Sequence, residues 1–123
     1  MLLDSNILIY GASGSHASLD AILDRRDLAV ASLTRIETLG FHRLSELERR
    51  WLEAAFAAMR VLPLDPEVEN QAIALRQAQR MALADAVIAA TALVHHLPLV
   101  TRNVSDFLRV PDLAIINPFE NNP

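Results

Sequence analysis

Short apolar runs alternate along this chain with longer stretches in which apolar residues recur at helical spacing. Met1–Leu3, Leu28–Ala31, Arg60–Leu64, Pro98–Thr101 and Leu113–Ile116 are too short for helices and rich in Leu, Ile and Val, so they read as strands. Between them the pattern predicts helices. One starts on Asp4 or Ser5 and covers Ser5–Tyr10, followed by a loop over Gly11–Ser15. Ser15 caps a second helix, from about His16 to Asp24. A third runs from Ser32 or Leu33 to about Arg43, with Ile36, Leu39 and Gly40 on one side. Ser45 and Glu48 have the spacing of a capping box, and the helix they open reaches about Met59. There Leu47, Trp51, Leu52, Ala55 and Phe56 form one apolar face. Asp65-Pro66 marks another start, to about Arg80, and a last helix covers about Leu83–His95.

Strands that alternate with helices imply parallel pairing through crossover connections. The expected fold is therefore α/β: a three-layer α/β/α sandwich with a mainly parallel central sheet of about five short strands. The 123 residues suffice for one domain, 1–123, with no repeat, low-complexity run or long linker. With 52% hydrophobic residues the chain can bury a core without covalent staples, and it has no cysteine. A disulfide framework and a thiolate zinc site are excluded. The amino terminus lacks the basic region of a signal peptide, and Met81–Val94 is too short to span a bilayer. A soluble cytoplasmic protein with no membrane contact is the expectation.

Charge narrows the chemistry. Eleven basic residues face fifteen acidic ones, for a net charge of −4, and every basic residue is arginine. A chain without lysine cannot run mechanisms that need a lysine at a phosphoryl group. Nor does a negative chain have an obvious basic surface for phosphates, so any action on nucleic acid must come from a local site.

Most acids have ordinary explanations on polar helix faces or in first turns. Three do not. Asp4 lies between Met1-Leu2-Leu3 and an apolar segment, and Asp85 is the single charge in the fourteen residues Met81–Val94. Glu37 sits in Leu28–Phe41 with Arg35 as the other charge. A buried, unpaired carboxylate costs several kcal/mol, and arginines are too few nearby to serve all three. The predicted topology offers a resolution. Asp4 ends the first strand, and Glu37 lies in the first turns after the second. Asp85 begins a helix antiparallel to the strands, and Asp106 follows the fourth strand. All four arrive at the carboxyl edge of the sheet, where ligands bind in such folds. Like charges gathered there raise one another's pKa, and a divalent cation relieves the repulsion; oxygen ligands alone favour Mg²⁺ or Mn²⁺. Taken singly, Asp4 or Asp85 reads equally well as a helix cap.

At these residues the chain resembles the PIN-domain nucleases, and within them the VapC-type toxins of bacterial toxin–antitoxin pairs. Asp4-Ser5-Asn6 is similar to the family's opening D-[TS]-N, and Ser32–Glu37 to its S-x-x-x-x-E. Ala84–Ala92 resembles its D-x-x-I-A-A-T-A helix, Thr101–Phe107 its T-x-[ND]-x-x-D-F loop, and Ile116-Asn117-Pro118 its closing strand. Ala84 stands where a proline is common, which bears on the helix start and not on the chemistry. The resemblance spans nearly the whole chain. It implies an endoribonuclease that hydrolyses RNA phosphodiester bonds with Mg²⁺ or Mn²⁺ and acts as the toxin of a type II pair. Asp4, Glu37, Asp85 and Asp106 would be both the catalytic acids and the metal ligands, with Asp85 or Asp106 orienting or deprotonating the attacking water. Asn6 and Thr101 would hold acids or water in place. Ser5, Arg102 and Asn103 are candidate substrate contacts, although Ser5 serves equally as a cap and Arg102 equally as an acid's partner. The implied partners are RNA, a cognate antitoxin that inserts a basic side chain into the acidic site, and a second copy in a homodimer. With antitoxin a larger hetero-oligomer is expected.

Rivals fare less well. Receiver domains and haloacid-dehalogenase-type phosphatases place an acid after the first strand but need a lysine. The remaining alternatives are a housekeeping PIN-domain nuclease without an antitoxin, or a non-catalytic PIN-like binding module. His95-His96 belongs to the far end of the last helix, where the helix carboxyl terminus explains it better than a metal. His16 and His42 read as solvated. Trp51, Phe41 and Phe56 read as core or subunit packing, and six aromatics give little basis for base stacking. The tail from Pro118 to Pro123 is expected to fray.

Overall fold

A computed structural model of the chain describes residues 1–14 and 16–119. It contains five strands, β1 (Leu2–Leu3), β2 (Ala29–Ala31), β3 (Arg60–Leu62), β4 (Leu99–Val100) and β5 (Ile115–Ile116), ordered β3-β2-β1-β4-β5 and parallel throughout. The helices are α1 (Ser5–Ser13), α2 (Asp20–Leu23), α3 (Ser32–Leu39), α4 (Glu46–Ala58), α5 (Pro66–Ala78) and α6 (Leu83–Val94), with 3₁₀ turns at Ala17–Leu19 and Val104–Asp106. The parallel α/β architecture expected from the pattern is present.

Alternation along each strand divides the sheet residues between two cores, because successive side chains point to opposite faces. Leu2, Ala29, Ala31, Leu62 and Leu99 join α5 and α6 in one cluster. Leu3, Val30 and Val100 join α1, Leu19 and the Leu52–Phe56 face of α4 in the other. Strands buried on both faces have no polar side to show, which is why they read as continuous apolar runs. α6 is apolar nearly all round because it is covered nearly all round: Ala86 through Ala92 are buried.

Several boundaries differ from the pattern's prediction. The loop expected from Gly11 does not begin there: α1 continues to Ser13 and ends on Gly14, whose φ is 71°. The cause is tertiary. A Cβ at Gly11 would lie 2.6 Å from Cη2 of Trp51, so the glycine lets α1 close on α4. The next helix is shorter than expected, a 3₁₀ turn leading into α2, and the cap expected at Ser15 lies outside the described residues. α3 stops at Leu39, not Arg43, with Gly40 as its cap. Its buried face is polar: Thr34 and Thr38 are inside, with the Thr38 hydroxyl donating to the Thr34 carbonyl at 2.8 Å, while Ile36 is 69% exposed. β3 ends at Leu62 because Pro63 has no N–H to continue a ladder. On α4 the predicted capping box is complete, Ser45 to the Glu48 N–H and Glu48 back to the Ser45 N–H, but Leu47 is 79% exposed and takes no part in the buried face.

Gly11→Ala is expected to destabilise the protein by about 1–2 kcal/mol, although alanine is the better helix former by about 1 kcal/mol, because the methyl group displaces Trp51. Thermal denaturation of G11A, W51L and the double variant checks this. The glycine substitution is expected to cost several degrees in the wild-type background and almost nothing further in the W51L background. Equal costs in both would show that Trp51 is not the obstacle.

Candidate active site

The β1–β4 register sets the site. Leu3 pairs with Val100, so the next residues, Asp4 and Thr101, leave the sheet side by side. The Asp4 N–H donates to the Val100 carbonyl at 2.9 Å, and the Thr101 hydroxyl donates to Asp4 Oδ2 at 2.7 Å. Asp4 Oδ1 accepts the Ser5 N–H at 2.8 Å, which makes Asp4, not Ser5, the cap of α1. Each carboxylate oxygen keeps a lone pair free beyond these bonds. The Thr101 hydroxyl in turn accepts the Asn103 N–H at 3.0 Å, tying the loop after β4 to the same point.

Ser5 carries the connection to α3. Its hydroxyl donates to Glu37 Oε1 at 2.7 Å and lies 3.0 Å from the Thr34 hydroxyl, so Asp4 and Glu37 are joined through one buried serine. Thr34 and Glu37 stand one turn apart on α3 and face it together. On the other flank, Asp85 in the first turn of α6 and Asp106 in the 3₁₀ turn after β4 line one open cleft of 460 Å³. The rest of its wall is Gln79, Arg80, Met81, Ala82, Ser105 and Arg109.

The four acids act on one another. Burial pushes Asp4 above the usual carboxylate range; bonds from Thr101 and Ser5 pull the other way, and the charges of Glu37 and Asp106 push it further up. Burial also raises Asp85, to about 6, with repulsion from Asp106, Asp4 and Glu37 adding to it. Among the described residues no arginine pairs with any of the four. The ion pairs lie elsewhere, at Arg25–Asp27 and where Arg49 and Arg50 meet Glu46 and Glu53.

The acids therefore occupy one edge as two pairs, Asp4 with Glu37 and Asp85 with Asp106. They are not drawn into a finished cage: among the described residues no group of three or more His, Asp or Glu side chains is close enough to hold a metal ion. Like charges keep apart in this way. The donor set nevertheless suits a hard divalent cation, being oxygen only and acidic, with Asp4 and Asp85 raised by burial first and by their acidic neighbours second.

The other predicted residues separate. Thr101 contacts an acid directly. Asn6 contacts none: its Oδ1 is buried without a hydrogen-bond partner among the described residues. Ser5 is buried, with its hydroxyl already engaged. Among the described residues Arg102 pairs with no acid; its guanidinium lies over Phe119 at 4.5 Å and Tyr10 at 5.2 Å. His16 is not simply solvated, since its ring meets Tyr10 at 4.8 Å and Phe119 at 5.5 Å. Of the tail, Phe119 is thus packed, and Glu120 to Pro123 lie outside the described residues. Sequence reasoning missed Thr34, whose one-turn spacing to Glu37 was the available signal. It also missed Arg80 and Arg109, which no local pattern marks.

A parallel sandwich with coupled carboxylates where β1, α3, α6 and the loop after β4 meet defines a narrow class of acidic-site α/β proteins. Residues 1–113 match the family model of the PIN domain, and the chain belongs to that family. Among solved structures it is similar to a toxin–antitoxin complex from Klebsiella pneumoniae, with 28% identity and a TM-score of 0.80 over 98% of each chain. It is similar also to FitAcB from Neisseria gonorrhoeae, with 27% identity and a TM-score of 0.80 over 98% of this chain and 99% of the other. DNA-bound VapBC from Salmonella typhimurium shares the fold, with a TM-score of 0.80 at 21% identity over 95% and 96% of the two chains. No curated protein matches by sequence.

Without metal, Asp85→Asn is expected to stabilise the protein above neutral pH. Its carboxyl titrates at about 6 when folded, against 3.8 in the unfolded chain, so ionisation disfavours folding. That penalty is absent below about pH 4, grows as pH rises through about 6 and is full by about pH 8. After solvent screening it amounts to roughly 1–2 kcal/mol, or several degrees of Tm. Melting both proteins in chelator at about pH 4.5 and about pH 8 checks this: the gain appears at the higher pH and shrinks at the lower. Equal or lower Tm for D85N at the higher pH would show that ionising Asp85 carries no folding penalty.

Proposed function

We propose that the chain, 1–123 acting as one domain, is a divalent-metal-dependent endoribonuclease and the toxin of a toxin–antitoxin pair. The observation that carries the reading is the mutual repulsion of Asp4, Glu37, Asp85 and Asp106 at the carboxyl edge of a PIN sheet, with no arginine among the described residues paired to any of them. Kinship with toxin–antitoxin complexes over almost the full length supports the toxin role.

In this reading Asp4, Glu37 and Asp85 would hold Mg²⁺ or Mn²⁺, with Asp106 beside them. When bound, such an ion would supply a more acidic water and offset charge on the phosphoryl oxygens. The chain's residues do the rest. Thr101 and the Ser5 N–H fix the orientation of Asp4, and the Ser5 hydroxyl fixes that of Glu37, so that neither rotates away as charge shifts. Asp85 or Asp106 orients the attacking water and accepts its proton as the new P–O bond forms and the bond to the departing ribose oxygen breaks. A cognate antitoxin would block the site with a basic side chain, the natural complement to four unpaired acids. A homodimer, assembled with antitoxin into a larger hetero-oligomer in the cytoplasm, completes the proposal; among the described residues no helix is long and apolar enough to cross a membrane.

Incubating purified, antitoxin-free protein with a mixed RNA pool and Mn²⁺ tests this, with Asp4→Asn as control, since asparagine caps a helix as well as aspartate but brings no charge. Metal-dependent cleavage by wild type that falls at least a hundredfold in D4N is the expected result. RNA left equally intact by both would reject the nuclease reading and favour a PIN-like binding module.

A further inference from the structure

The cleft that Asp85 and Asp106 line is lined also by Arg80 and Arg109. Two cations stand near two anions in one cleft, yet among the described residues neither arginine forms an ion pair with either acid or with any other. Nor are they free-floating surface charges. Met81, next to Arg80, and Val110, next to Arg109, are buried in the α5–α6 core, which fixes the backbone that carries each arginine. The two segments are also tied to each other and to α5. The Gln79 side-chain amide donates to the Arg109 carbonyl at 2.9 Å, and Arg76 Nε donates to the Met81 carbonyl at 3.3 Å. Two anchored loops thus bring two arginines with no ion pair among the described residues to the cleft that the acids line.

In a chain with net charge −4 and no lysine, such a placement has a specific chemical use. A polyanion approaching the acidic edge meets repulsion, and only local cations can offset it. A guanidinium fork matches two phosphate oxygens and stays charged at any working pH. We propose that Arg80 and Arg109 form the phosphate-gripping wall of the site, holding the backbone phosphates that flank the scissile bond of a single-stranded RNA. The path of the substrate then runs along the cleft between the α5–α6 loop and the turn after β4. This rests on the nuclease reading above and adds to it the side from which the substrate is held.

The test compares wild type, Arg80→Ala/Arg109→Ala, and a charge-matched control, Arg26→Ala/Arg60→Ala, whose arginines lie at the opposite, amino-terminal edge of the sheet. Binding of a fluorescent single-stranded RNA is measured in each against a D4N background across a salt series, and cleavage kinetics in each with Asp4 intact. Each lost phosphate contact on a single strand removes about 0.7 from the slope of log affinity against log salt. R80A/R109A is therefore expected to lower that slope by about 1.4, weaken binding roughly tenfold, and raise KM much more than it lowers kcat, with Tm unchanged. The control variant is expected to match wild type. If wild type binds and cleaves RNA while R80A/R109A matches the control in slope and KM, this proposal is overturned and the nuclease reading stands. If wild type neither binds nor cleaves, both fall together.

Discussion

A carboxylate has been placed where three elements join, and the rest of the site follows from holding it there. Asp4 follows β1, caps α1, and takes the hydroxyl of the residue that follows β4. Removing an ionised carboxylate from water costs several kcal/mol, and two hydrogen bonds to it return about 1.5–3 kcal/mol each. The donors therefore offset much of the burial but do nothing about Glu37 and Asp106, whose charges still bear on Asp4. The unrelieved part of the balance is electrostatic, and it has one sign.

The architecture accounts for why this strain is tolerated. Parallel strands two or three residues long, the central ones buried on both faces, divide their apolar side chains between two cores and leave the carboxyl edge to helix starts and turns. Stability is concentrated away from the edge, in Leu2, Leu3, Val30, Ile88, Leu99, Val100 and Phe107, all but fully buried. A few kcal/mol of burial cost and repulsion together can persist at the rim of such a core without unfolding it. The same edge mixes its charges: Asp4 and Glu37 lie toward β1 and α3, while Asp85 and Asp106 share their cleft with Arg80 and Arg109. A site that binds metal and polyanion together, as proposed above, needs both.

The sequence made the layered fold readable because strands buried on both sides and a helix buried nearly all round leave strong, local marks. Asp4 and Asp85 were readable for the converse reason: a charge inside an apolar run has to be explained. What escaped depends on contacts between distant residues. The extension of α1 through Gly11 is decided by Trp51, far along the chain on α4, which local propensity does not register. The buried face of α3 is made of threonines, so apolar periodicity pointed to Ile36 instead, on the wrong side. Ser5 was legible as a cap or substrate contact but not as the link to Glu37, because that bond joins elements whose relative position only the fold sets. Arg80 and Arg109 look like any surface arginines until two loops bring them to one cleft. Arg102 was expected to face a phosphate or an acid, and the ring stack that holds it needs Phe119 from the far end of the chain.

The central claim is that the four acids form one electrostatic unit waiting for a cation. Calorimetric titration of Mn²⁺ into chelator-treated protein at a pH of about 6 addresses it most directly, repeated in two buffers of different ionisation enthalpy so that released protons are counted. The expected result is saturable binding by wild type with net proton release, because Asp85 is partly protonated near that pH, and loss of binding in D4N and D85N alike. Binding that survives unchanged in either variant, or no binding by wild type, would contradict it.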